Sequence, residues 1–357
     1  MELNHTELHK LIKAAYKSKK PLNIAGHIGI GKSDTVLNVA KEIAASKNLP
    51  FIMGSKVDSF GFIDIRLNQM DPSDLRGLPM YDKETKTTVW YPPAWLPRHG
   101  AGILFFDEIN LAAQMIQASA YQLILTRELG EYKLPDDWVI VSAGNLVDDR
   151  GGIYELAAPL ANRFIHATLD PPTKEQWIDW AMEHDVDLDV ISYIQYRGSA
   201  ELYKFDPEKD NLAFQTPRSW KSASDLRRDN LNVSDREQLI LMSSAIGDGA
   251  AREFMAFTKL KDELDLENIL KNPDSFKKPN RVDINYSLTS ALSARYKDER
   301  KALPNILKIW DKMDPEYVVL SVRLCQAAHK TNFIADVSKI PDSQVFISKY
   351  TKYFNKF

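Results

Sequence analysis

Eight consecutive residues constrain this chain more than any others: Gly26-His27-Ile28-Gly29-Ile30-Gly31-Lys32-Ser33, a GxxxxGKS pattern. Glycines at these spacings let the backbone curl until successive N–H groups point inward, as binding a phosphate requires. The residues before it, Pro21-Leu22-Asn23-Ile24-Ala25, read as a strand, and those after it, to about Ser46, read as a helix. A helix beginning near Lys32 aims the positive end of its dipole at the same anion. That strand–loop–helix context is what distinguishes a phosphate loop from a chance match. Gly26, His27, Ile28, Gly29, Ile30, Gly31, Lys32, Ser33 and Asp34 are therefore expected to line a nucleotide. Lys32 would reach its β- and γ-phosphates, and the Ser33 hydroxyl would bind Mg2+. The competing reading, a glycine turn without a ligand, is disfavoured by Gly, Lys and Ser all falling in register.

A second element complements the first. Ile103-Leu104-Phe105-Phe106 is a continuous apolar run that ends in Asp107-Glu108. Such a run suits a strand buried on both faces, with its acids at the carboxyl edge where an open parallel sheet binds ligands. Asp107 would hold Mg2+, directly or through water, and Glu108 would orient and polarise an attacking water. Further strands are expected at residues 50–53, 138–142 and 164–169. Their alternation with helical patterns indicates a parallel α/β sheet between helices. The first 20 residues read as one amphipathic helix, with Leu8, Leu11, Ile12 and Ala15 on one face.

The chain has 357 residues, too many for one core, so a second domain is expected. The character changes after Asp170-Pro171-Pro172, where strand signals give way to helical periodicity. The expected domains are an α/β domain at 1–170, a helical lid at 171–260 and a helical extension at 261–357. Residues 270–290 look polar and loop-like. Apolar residues make up 44% and charged residues 27%, enough for packed cores. Lys plus Arg number 46 against 49 for Asp plus Glu, a net charge of −3, so nucleic acid is not the expected partner. The single cysteine, Cys325, forbids an internal disulfide and reads as core. No apolar stretch is long enough to insert in a membrane, and the opening MELNHTELHK has no signal segment, so a cytoplasmic location is expected. His166 reads as a packed strand residue, and Arg197, Arg227 and Arg228 as a solvated face.

Several stretches beyond the loop resemble one family. Asp107-Glu108-Ile109-Asn110, followed by Ala112, Gln114, Gln117 and Leu123, resembles the DEINRA…Q…LLEAM stretch of the MoxR branch of AAA+ ATPases. Asp74-Leu75-Arg76-Gly77-Leu78 is similar to its DLxG segment, and Ala143-Gly144-Asn145 to its sensor strand. Gly151-Gly152-Ile153-Tyr154-Glu155-Leu156 with Leu160-Ala161-Asn162-Arg163-Phe164 looks like its GTYPLPEAQLDRF run, and Thr216-Pro217-Arg218-Ser219-Trp220 like the SPR of its lid. The matches keep family order across residues 20–220. The chain departs from the family at Asn145-Leu146, where the family has Asn-Pro, and at Asn110-Leu111, where it has Asn-Arg.

The resemblance implies a P-loop AAA+ sheet sandwiched by helices, followed by an all-helical lid. It implies Asn145 as sensor 1, Arg163 as a finger reaching a neighbour's nucleotide, and Arg218 as sensor 2 on the lid. It implies a Mg2+-dependent ATPase, with ATP and Mg2+ as its cofactors, that forms a hexameric ring of identical chains. Such a ring would act as a chaperone on a protein client, beside a von Willebrand factor A domain protein. Residues 60–100 (with Trp90, Tyr91 and Trp95) and the hairpin expected at 126–137 are similar to inserts of this branch. The alternatives from other classes are a nucleic-acid motor or restriction-type nucleotidase, which would need a basic pore, and a scaffold that binds ATP without hydrolysing it.

Overall fold

The computed structural model describes residues 2–146, 154, 156, 158–206, 212–229, 232–328, 333–341 and 343–354. Two compact units divide between Pro171 and Pro172. The first is built on strands β1 (Glu2–Leu3), β2 (Leu22–Gly26), β3 (Phe51–Met53), β4 (Phe60–Arg66), β5 (Leu78–Asp82), β6 (Thr87–Tyr91), β7 (Ala101–Asp107), β8 (Glu128–Leu129), β9 (Tyr132–Lys133), β10 (Trp138–Gly144) and β11 (Ile165–Leu169). Its helices are α1 (His5–Lys17), α2 (Lys32–Ser46), α3 (Pro72–Arg76), α4 (Gln114–Thr126) and α5 (Ala158–Ala161).

Seven strands form one sheet in the order β1-β11-β2-β10-β7-β4-β3, and every pairing within it is parallel. The loop-bearing β2 is separated from the acid-bearing β7 by β10 alone. Parallel strands in the middle of a sheet must be apolar on both sides, and β10 is buried along its whole length. Alternate residues serve opposite faces. Ile63, Ile65, Leu104, Phe106 and Ile140 pack with Ala120, Leu123 and Ile124 of α4. The intervening set, Phe62, Ile103, Phe105, Val139 and Val141, is equally buried. It belongs to the face where Tyr16 of α1 meets Phe60, their ring centroids 5.5 Å apart. This α/β architecture is the one expected.

The strand β4 is a finding the sequence did not reveal, because Gly61 and Asp64 interrupt its apolar run. The glycine has a packing reason: a Cβ on Gly61 would lie 2.5 Å from Trp138 Cη2, and one on Gly102 2.7 Å from the same atom. The Trp138 indole crosses both strands and leaves room there only for hydrogen. The stretch from 60 to 100 thus begins as core sheet. Only β5 and β6 form a separate antiparallel pair, exposing Leu78, Met80, Tyr81 and Tyr91. β8 and β9 pair around Gly130, as the expected hairpin requires.

Among its described residues the second unit is helical, apart from one bridge between Lys204 and Gln215. A single apolar core runs from Trp177 to Tyr350, so residues on both sides of position 260 share it. Cys325 is fully buried within it. The loop expected at 270–290 is corrected beyond residue 281, since Val282–Asp298 is a helix. Its polar residues mimic a loop in sequence, yet Asn285, Ser287, Thr289, Ser290 and Ser293 are all buried. Backbone carbonyls a turn earlier accept from three of them: Thr289 Oγ1 donates to Asn285 O at 2.9 Å, Ser290 Oγ to Ser287 O at 3.0 Å and Ser293 Oγ to Thr289 O at 2.8 Å. Arg227 is also corrected from a solvated face to the interior. It is 9% exposed and donates to Asp189 Oδ2 at 2.6 Å. Among the described residues no helix is long and apolar enough to cross a membrane.

Candidate functional site

β2 ends at Gly26, and α2 begins at Lys32 with Gly31 as its N-cap at φ +93°. That left-handed backbone is why a glycine stands there. Lys32 lies at the positive end of α2 and is 8% exposed. Its Nζ donates to Gly26 O and His27 O, both at 2.7 Å, and to Asn145 Oδ1 at 3.0 Å. A buried ammonium at the positive end of a helix is stabilised by an anion lying between the two. One residue on, Ser33 Oγ donates to Asp107 Oδ2 at 2.8 Å. A hydroxyl and a carboxylate this close can share one divalent cation through oxygen ligands. Among the described residues no cluster of three or more His, Cys, Asp and Glu side chains could hold a metal on its own. A cation held here would complete its shell with phosphate oxygens and water. Asp34 is exposed in the first turn of α2, where a negative side chain suits the dipole.

β7 delivers Asp107 to the carboxyl edge of the sheet, in register with Arg66 of β4. Asp107 Oδ1 accepts from the Glu108 N–H at 3.0 Å. Glu108 itself sits at φ +55° and ψ +36°, a left-handed conformation that costs a non-glycine residue about 1–3 kcal/mol. The turn throws its carboxylate off the strand axis, where Asn68 Nδ2 donates to Oε2 at 2.8 Å. Asp64 adds a third acid: burial first, then the Asp107 carboxylate, raise its pKa above the usual range, with Glu108 adding to this and Arg66 opposing it.

Asn145 follows β10 and is clamped by Asn110. Asn110 Nδ2 donates to Asn145 O at 2.6 Å, and the Asn145 N–H donates to Asn110 Oδ1 at 3.1 Å. The clamp leaves the Asn145 side chain to Lys32. A cleft of about 220 Å³ lined by Asn23, Asn110, Asn145, Tyr154 and His166 adjoins it. His166 is exposed, its Nε2 2.6 Å from Ala161 O, rather than packed. Lys32, Ser33, Asp107, Glu108 and Asn145 are therefore brought together. Arg163 is not among them: it is exposed in the turn between α5 and β11, and joins none of these hydrogen bonds. Arg218 is exposed in the second unit, in the first turn of the helix Pro217–Asp229. Gly151, Gly152, Ile153 and Glu155 of the family-like run lie outside the described residues. Asn68 escaped sequence reasoning, and Asn110 enters it only as part of the family-like run, with no role of its own. Asn68 is marked in the sequence by position alone, just after a sheet strand, and Asn110 by its place just after the paired acids in that run.

No protein-family model matches the chain, and no curated protein matches it. Among solved structures it is similar to a candidate ATPase from Cytophaga hutchinsonii, at 13% identity over 98% of this chain and 89% of that one, with a TM-score of 0.32. It is similar to a mutant RuvB from Thermotoga maritima at 16% identity, 82% and 83% coverage and a TM-score of 0.39. It is similar to NtrX from Brucella abortus at 12% identity, 98% and 67% coverage and a TM-score of 0.33. Likenesses this distant add nothing to what sheet order and loop geometry define. Those two features make the first unit a P-loop α/β domain.

Proposed function

We propose that the chain is an AAA+ ATPase of the MoxR type, dependent on Mg2+, which transfers the γ-phosphoryl group of ATP to water. One observation carries the reading. The loop lysine meets Asn145, and the loop serine meets Asp107, at one point on the carboxyl edge of a parallel sheet. The N–H groups of residues 27–33 and the Lys32 ammonium bind the β- and γ-phosphates. Ser33 and Asp107 hold Mg2+, which when bound draws charge from the phosphate oxygens. Glu108 orients the attacking water and accepts its proton as the new P–O bond forms and the bond to ADP breaks. Asn145, able to donate and to accept, steadies that water or a γ-phosphate oxygen. Arg163 of a neighbouring chain and Arg218 supply permanent positive charge to the γ-phosphate.

On this reading the chain works as a hexameric ring in the cytoplasm, remodelling or assembling a protein client with a von Willebrand factor A domain protein as partner. The balanced charge of the chain favours a protein client over nucleic acid. Lys32→Ala is expected to abolish MgATP binding, measured by calorimetry. Glu108→Gln is expected to keep binding and lose about 10²–10⁴-fold in turnover. Unchanged phosphate release by the Glu108→Gln protein would sink the general-base assignment. Pulldown with that same variant would identify the client.

A further inference from the structure

Four carbonyl groups of the phosphate loop have identified donors. Where N–H groups face an anion, the adjoining carbonyls face away, and buried ones need donors. Gly26 O and His27 O accept from Lys32 Nζ. Gly31 O accepts from the Thr35 N–H at 3.0 Å and from Thr35 Oγ1 at 2.8 Å. Ile30 O lies 2.9 Å from Nε2 of His5, the first residue of α1. A carbonyl can only accept, so Nε2 carries the hydrogen and Nδ1 is bare. Nδ1 is buried and has no hydrogen-bond partner. Burial is also the largest influence on His5 and lowers its pKa, which keeps the ring neutral near pH 7.

The backbone that carries His5 is itself held by the cap of α1 and by β1. Asn4 and Glu7 cap α1 reciprocally, Glu7 N–H to Asn4 Oδ1 at 3.0 Å and Asn4 N–H to Glu7 Oε2 at 2.9 Å. β1, just before, pairs with β11 through Leu3 and Leu169, and Asp170 N–H donates to Leu3 O at 3.0 Å. The ring also stands at the turn of the loop, since a Cβ on Gly31 would lie 3.6 Å from His5 Nε2.

We propose that His5 is a positioning residue for the phosphates of a nucleoside triphosphate: by donating to Ile30 O it fixes the Ile30–Gly31 peptide plane. A trans peptide is planar, so holding that carbonyl outward turns the Gly31 N–H to the opposite, phosphate-facing side. The inference rests on the reading of the loop as a nucleotide site. His5→Phe fills the same space without a donor, whereas His5→Gln returns an N–H.

The test uses the full chain with MgATP and MgADP, reading affinity by calorimetry and turnover by phosphate release. His5→Phe is expected to bind about tenfold more weakly, the scale of one neutral hydrogen bond. Most of the loss should fall in KM, and His5→Gln should recover to within about threefold of wild type. A brace that merely stabilises the fold would lower the melting temperature and leave affinity alone. Equal affinity in folded His5→Phe, or no recovery in His5→Gln, overturns the proposal. Should His5→Phe fail to fold, 15N-histidine spectra of the wild type decide. The Nε2–H tautomer and a shift of its signal on saturation with MgADP are expected. The other tautomer, or an unmoved signal, overturns the proposal. Wild-type protein that binds neither nucleotide overturns the site reading and this inference together, whereas nucleotide binding that ignores His5→Phe overturns this inference alone.

Discussion

At the scale of single residues, the candidate site is a set of side chains each held by a second one. Asn68 holds Glu108, Ser33 meets Asp107, and Asn110 holds Asn145 from behind. Asn110 is the informative case because among the described residues its side chain bonds the main chain of Asn145 alone, at both its N–H and its carbonyl. Asn110→Ala removes both bonds and leaves the Asn145 amide to wander from Lys32. Misplacing a catalytic group by an ångström costs up to about 10²-fold in rate. The expected result is a fall in kcat of about tenfold or more with a smaller change in MgADP affinity, measured by phosphate release and calorimetry on the same preparation. Unaltered kcat would mean that Asn145 finds its place without the clamp.

At the scale of elements, legibility followed periodicity and failed where tertiary partners decide. The strand–loop–helix at 22–46 and the strands β7 and β10 could be read because each carries a local pattern: glycine spacing, or an apolar run ending in a charge. β4 could not, since Gly61 makes sense only once Trp138 is seen lying across it. The helix Val282–Asp298 could not, since Thr289 and Ser293 donate to carbonyls of the preceding turn and Ser290 reaches the Asp189 carboxylate. Arg227 could not, because its neutralising partners come from about forty residues upstream: Asp189 Oδ2 at 2.6 Å and Asp187 Oδ1 at 3.5 Å. Asp189 also accepts from Lys261 Nζ at 2.8 Å and Ser290 Oγ at 2.6 Å, so one carboxylate gathers three segments of the second unit. Of the two aspartates, Asp187 is pushed up by burial and by the adjacent Asp189 charge. Asp189 is itself buried but is held below the usual range, with Lys261 and then Arg227 the leading stabilisers of its charge. Arg227→Met strands part of that negative charge and is expected to cost about 3 kcal/mol, the low end for a broken buried pair because Lys261 remains. Arg228→Ala, whose partners Asp185 and Asp225 are more exposed, is expected to cost at most about 1 kcal/mol. Denaturant melts of the two variants check the contrast, and equal midpoints would refute it.

At the scale of the whole molecule, one chain brings together Lys32, Ser33, Asp107, Glu108 and Asn145, the groups the proposed reading casts as loop, cation ligands, base and sensor, while Arg163 is exposed in the turn before β11. An exposed arginine that meets none of these groups contributes to its own nucleotide if its turn moves. It contributes to a neighbour's directly if copies assemble head to tail, each presenting one surface to a different surface of the next. The two arrangements make opposite forecasts for mixtures. Arg163→Ala alone is expected to bind MgATP and to lose about 10³–10⁵-fold in turnover. Glu108→Gln alone is expected to bind and not turn over. If the arginine acts across the interface, mixed assemblies contain sites where an Arg163→Ala chain supplies an intact Glu108 and a Glu108→Gln chain supplies an intact Arg163. Those sites are whole, so mixing two inactive proteins should restore phosphate release, with a bell-shaped dependence on the mixing ratio. If the arginine serves its own nucleotide, every chain in every mixture lacks one group, and no ratio restores activity. Subunit exchange must be demonstrated in the same sample, by fluorescence transfer between labelled chains. With exchange established, a flat profile places Arg163 in its own chain's site, and a bell places it in its neighbour's.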